Sequence, residues 1–130
     1  MAGHKLSSKA EEEVVYLEHV LAQCDNLTRK VEEYAAAKKG GDAIVQQITR
    51  QLSQMRQQAM MKNLGPVADH AGMLGIAASR GSQMQRTRTM RDGLVSFKQM
   101  VERVIKATID ADARVRAEAE KAMGKKEGMH

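Results

Sequence analysis

Apolar residues recur along most of this chain at alternating spacings of three and four, which is the period of an α-helix with one buried face. The chain has one proline, one Phe, two Tyr and no Trp among 130 residues. No run alternates apolar with polar residues over the length of a strand, whereas strong helix formers such as Ala, Gln, Glu, Lys and Met are abundant. The sequence therefore predicts an all-α protein.

Capping signals mark the starts of the first two helices. Ser8 followed by Glu11 is a capping-box pattern, and an apolar stripe begins directly behind it. Paired glycines after Lys39 stop that helix, and Asp42 then fits the N-cap of a second one. Asn, Leu, Gly and Pro at 63–66 end the second helix, because Gly suits a position past a helix end and Pro suits a first turn.

A short third segment, Pro66–Ser79, carries two glycines on one face. Each glycine inside a helix costs about 1 kcal/mol relative to Ala, so we expect a neighbouring backbone to approach closely at Gly72 and Gly75. A break at Arg80–Ser82 would provide a new N-cap. The pattern leaves open whether residues 66–123 form one helix or two.

The predicted architecture is an up-and-down helical bundle of three long helices and one short one, in a single domain covering residues 1–123. Residues 124–130 are expected to form a disordered tail. Because the helix lengths do not match, we expect a homodimer that covers the protruding ends. Leu94 and Val101 are expected in the shared core, and Val115 near the interface.

Charge is segregated along the chain. Seven acids and three bases lie between Lys9 and Glu33, whereas seven bases and two acids lie between Arg80 and Lys106. The acidic first helix and the basic last helix are expected to attract each other, within one chain or between chains.

Several kinds of chemistry lack their usual residues. The chain has no glycine-flanked serine elbow, no glycine-rich phosphate loop, no HExxH and no CxxC, and no Glu and His at the spacing of a di-metal bundle. We therefore expect no enzymatic activity, no metal and no cofactor. The one cysteine, Cys24, lies on an apolar stripe and is expected to be a buried thiol. No apolar run is long enough to span a membrane, so we expect a cytoplasmic protein.

His70 is a possible phospho-acceptor. The segment from Ala68 to Ala78 resembles histidine-phosphotransfer domains over about a dozen residues, which implies a helix-borne His that takes phosphate from an aspartate. Met73 and Leu74 stand where those domains carry Lys and Gly, so the cation that would stabilise the phosphoryl group is missing. An ordinary surface histidine is the alternative.

The basic stretch at residues 80–106 is the other candidate site. It could bind nucleic acid through phosphate contacts, although it lacks aromatic residues for stacking on bases apart from a single Phe in the apolar stripe. With no catalytic set assembled, the leading prediction is a non-enzymatic helical protein-protein interaction or scaffold module that binds itself or another helical protein. The candidate nucleic-acid contacts are Arg80, Arg86, Arg88 and Arg91.

Overall fold

Four α-helices make up the computed structural model, which describes the backbone of residues 6–127 and the side chains of residues 6–123. The helices are α1 (Ser8–Ala36), α2 (Gly41–Met61), α3 (Gly65–Ser79) and α4 (Gln83–Glu127). No strand occurs within the described range. The prediction of an all-α protein with three long helices and one short one is confirmed.

The last helix continues into the segment that the sequence assigns to a tail. The backbone of α4 includes residues 124–127. Residues 128–130 lie outside the described residues, so a tail there stays a prediction. No described helix is both long and apolar enough to cross a membrane.

A capping box separates α3 from α4 and settles the question left open by the sequence. Gly81 adopts a left-handed backbone with φ of +94°. The Gln85 backbone N–H donates to Ser82 Oγ at 3.2 Å, and the Ser82 backbone N–H donates to Gln85 Oε1 at 2.9 Å. Residues 66–123 therefore form two helices.

The start of α1 differs from the predicted capping box. Ser7, not Ser8, is the cap, because its Oγ accepts a hydrogen bond from the Ala10 backbone N–H at 3.2 Å. The Ser7 backbone N–H donates to Asp112 Oδ2 at 3.1 Å. Asp112 on α4 thus supplies the carboxylate that we expected from Glu11.

Two other helix ends use left-handed residues instead of the predicted signals. Gly40 precedes α2 with φ of +76°, and the helix begins without a side-chain cap, so the prediction that Asp42 is the N-cap is wrong. Asp42 lies in the first turn, where its charge still suits the helix dipole. At the other end of α2, Asn63 takes φ of +58°, and Gly65 already belongs to α3.

The described residues fall into two compact units. The central unit is His19–Val101, and the end unit combines the residues up to Glu18 with those from Glu102 onward. A single domain over residues 1–123 stays a prediction.

The central unit has a core to which all four helices contribute. Leu94 and Val101 are among its buried residues, as predicted. Apolar side chains of all four helices line one narrow gap, formed by Leu27, Val31, Ile48, Leu52, Leu74, Met90 and Leu94.

Helices α1 and α4 run antiparallel in the central unit and are joined by ion pairs. Arg91 Nε donates to Glu32 Oε2 at 2.7 Å, and Lys98 Nζ donates to Asp25 Oδ1 at 2.7 Å. The hydrogen bond with Arg91 lowers the pKa of Glu32 and raises that of Arg91. The predicted attraction between the acidic first helix and the basic last helix therefore operates within one chain.

The end unit is held by fewer buried residues. Val14 and Leu17 of α1 are buried, and Thr108 Oγ1 donates to Glu13 Oε2 at 3.2 Å. No side chain from Glu102 to Met123 is buried, and Ile109, Val115 and Met123 are exposed. The last turns of α4 therefore have little packing support among the described residues.

Candidate functional site: a basic cleft between α2 and α3

His70 lies half-buried on α3 rather than free in solvent. Its Nδ1 is 2.9 Å from the Pro66 carbonyl oxygen, and its ring lies 5.6 Å from the ring of Phe97, centroid to centroid. A carbonyl can only accept, so Nδ1 carries the proton in this contact and Nε2 is left as the second ring nitrogen. No ion pair involving His70 occurs among the described residues. The phosphotransfer interpretation stays a prediction.

The four arginines predicted to bind nucleic acid do not all line one cleft. Arg88 and Arg91 line the same hollow, but Arg91 is already paired with Glu32. Arg86 is half-buried, and its Nε has no hydrogen-bond partner among the described residues. Arg80 lines a different cleft. The nucleic-acid interpretation also stays a prediction.

That other cleft lies between α2 and α3 and has a volume of about 340 Å³. It combines cationic, hydroxyl and small side chains, and no acidic residue lines it. Its lining residues are Thr49, Leu52, Ser53, Arg56, Ala71, Gly72, Gly75, Ile76, Ser79 and Arg80.

The floor of the cleft is open because of two glycines. A Cβ at Gly75 would meet no heavy atom within 4 Å, and one at Gly72 would meet only the Arg56 side chain, at 3.5 Å. Our prediction that a neighbouring backbone approaches closely at these glycines is therefore wrong. An alanine side chain would fit at position 75 and would favour the helix, so packing within the chain does not require a glycine there.

The close approach occurs at Gly93 instead. A Cβ at this position of α4 would lie 2.5 Å from Leu74 Cδ2 on α3. Leu74 is buried, with 4% of its surface exposed. Gly93 thus allows α4 to lie against α3.

The two arginines of the cleft have no acidic partner among the described side chains. Neither Arg56 nor Arg80 forms an ion pair or a side-chain hydrogen bond within the described part of the chain. The Arg56 side chain crosses Gly72, and Arg80 follows eight residues later. At 1.5 Å per residue, the backbone of Arg80 lies about 12 Å along α3 from Gly72, beside which the Arg56 side chain lies.

The sequence contained only part of the signal for this site. The paired glycines and Arg80 were singled out, but Arg56 was missed because it lies on α2, outside the basic stretch. A count of charges along the chain cannot show that α2 and α3 lie side by side. The tight connection at residues 62–64 places Arg56 beside Gly72.

Cysteine and metal chemistry have no support in the described residues. Burial raises the pKa of the Cys24 thiol to about 12, so almost no thiolate forms near neutral pH. No group of three or more His, Cys, Asp or Glu side chains that could hold a metal ion is found in the part of the chain that the structure describes.

Comparison with protein-family models, curated proteins and solved structures finds no significant match to this chain.

Proposed function

We propose that this protein is a non-enzymatic helical interaction module that self-associates, and that its helices form an up-and-down bundle. One observation carries the proposal, namely the open cleft between α2 and α3, whose two arginines form no ion pair with any of the described residues. A groove between two helices is a common docking place for a third helix. Small residues on its floor allow the backbone of that helix to come close.

The cleft also has apolar surroundings suited to a protein partner. Ile76 lines it and is 55% exposed, and Met73 lies on the same helix with 67% exposed. Exposed apolar side chains beside charged ones are typical of protein-protein interfaces. The combination favours a helix with both apolar and acidic residues over a small ion.

Exposed residues on α4 further support self-association. Val115 is 65% exposed, in a stretch of helix without buried side chains. Most helical stability in proteins comes from packing of an apolar face, so a second chain that covers Val115 would stabilise this stretch. The place of Val115 near an interface stays a prediction.

The test is to fill the cleft without disturbing the fold. Gly75→Leu places a side chain where no atom lies within 4 Å of the added Cβ, and leucine is a better helix former than glycine. We expect wild type to sediment at twice the mass of one chain and Gly75→Leu at the mass of one chain, with its helical circular dichroism retained.

The matched control is Gln54→Leu, which adds the same side chain at an exposed position of α2 outside the cleft. This variant should self-associate like wild type. The proposal is wrong if wild type has the mass of one chain at every concentration, or if Gly75→Leu associates as wild type does.

A further inference from the structure

The cleft defines the chemistry of the helix that would occupy it. The Arg56 side chain lies beside Gly72, and the Arg80 backbone lies about 12 Å farther along α3, so the cleft suits two carboxylates at a similar separation. On a helix this means positions seven or eight residues apart. Between them, the residue facing Gly75 can be apolar and of moderate size, because the space above this glycine is open.

The first helix of this same chain carries that pattern. Glu11, Val15, Glu18 and Ala22 follow one another at spacings of four, three and four, so they form one stripe on α1. We call these four residues the acidic stripe. All four are exposed, and Val15 is exposed by 61%.

The carboxylates of the stripe are available. Glu11 and Glu18 form no ion pair or side-chain hydrogen bond within residues 6–123, whereas Asp25 and Glu32 on the same helix are paired with α4. Seven residues of helix place Glu11 and Glu18 about 10.5 Å apart. The flexible arginine side chains of the cleft are long enough to reach carboxylates at that separation.

We propose that the acidic stripe on α1 of one copy lies in the cleft between α2 and α3 of a second copy. Glu11 and Glu18 pair with the two cleft arginines, and Val15 packs over Gly75 beside Ile76. This inference rests on the proposed function and names the segment that fills the cleft. The paired charges fix the register of the helix, and the apolar contact excludes water between them.

The test exchanges the charges of the two surfaces. One variant carries Arg56→Glu and Arg80→Glu, and another carries Glu11→Lys and Glu18→Lys. Each variant alone places like charges opposite each other, and we expect its self-association to weaken about tenfold for each reversed pair. Sedimentation equilibrium at low and high salt measures the dissociation constants, and circular dichroism checks that each variant is folded.

Mixing the two variants provides the decisive measurement. In the mixture the glutamates of one protein face the arginines of the other, so we expect hetero-association at close to wild-type strength, weakened by salt. As a matched control, Arg50→Glu with Arg103→Glu makes the same change of charge at exposed positions that do not line the cleft, and it should leave self-association within about twofold of wild type.

The outcomes separate this inference from the proposed function. If the cleft variant dissociates but the stripe variant associates as wild type does, the cleft is an interface and its occupant is a different segment, so the inference is wrong. If inorganic phosphate saturates the cleft, shifting the amide resonances of Gly72 and Gly75, and does not compete with association, the cleft is a small-anion site and the inference also fails. A wild-type protein that never associates overturns both proposals.

Discussion

Replacing Gly75 and Gly93 by alanine should affect stability differently, although both glycines lie inside helices. Alanine gains about 1 kcal/mol over glycine in a helix interior, because it restricts the unfolded chain more. Nothing lies within 4 Å of a Cβ at Gly75, so Gly75→Ala should gain nearly all of this amount.

At Gly93 the same methyl group collides with Leu74 Cδ2 at 2.5 Å. Leu74 is a buried side chain, and it must leave its preferred rotamer or push α3 away from α4. Overpacking of this kind costs about 1–3 kcal/mol, which equals or exceeds the helix gain. We therefore expect Gly93→Ala to be about 1–3 kcal/mol less stable than Gly75→Ala.

Urea denaturation followed by circular dichroism measures both values, at a protein concentration and salt at which the chain is a single copy. The thermal midpoint of Gly75→Ala should rise by about 4 °C. Adding Leu74→Ala to Gly93→Ala removes the collision, so the two changes should be coupled favourably in a double-mutant cycle. If Gly93→Ala stabilises the protein as much as Gly75→Ala does, α4 does not lie against Leu74 as closely as the structure shows.

Two further predictions follow from the titrating groups. Hydrogen bonds from Ser7 lower the pKa of Asp112 below its ordinary 3.8, so the charged carboxylate stabilises the fold above that pH, and this contribution is lost as pH falls through the lowered value. Asp112→Asn keeps a neutral acceptor, so its thermal midpoint should lie below that of wild type at pH 7 and equal it near pH 2. A difference in thermal midpoint that does not change with pH would contradict this. Cys24, with a thiol pKa of about 12, should react with a disulfide reagent at pH 8 only after unfolding in urea, and rapid labelling in native buffer would show that its burial is wrong.

The helices could be predicted from sequence because they depend on a local repeat. Apolar spacing of three and four sets which side of a helix is buried, and Leu94 and Val101 accordingly lie in the core. The capping box of α4 is also local, since Ser82 and Gln85 are three residues apart. The cap of α1 is not local. It uses Asp112, which no pattern near the start of the chain could reveal.

The glycines show where the local pattern stops being informative. Gly72 and Gly75 share one face of α3, which suggested that a neighbouring helix packs against them. Which face of a helix meets a neighbour depends, however, on the angle between the helices. Gly93 shares a face with Met90 and Phe97, which are both buried, so that spacing was a usable signal for its close approach. The open glycines became informative only once the structure showed space above them.

The end unit consists of two segments that are far apart in sequence, so the ribosome makes one well before the other. Its first part ends at Glu18, and its second part begins at Glu102, about 84 residues later on the chain. At about 5–20 residues per second, a ribosome takes on the order of 4–17 s to make the intervening segment. During that interval Val14 and Leu17 have no partner from α4 to cover them. A nascent chain thus presents an apolar helix segment to the cell for several seconds, long enough for a chaperone to bind before the two ends meet.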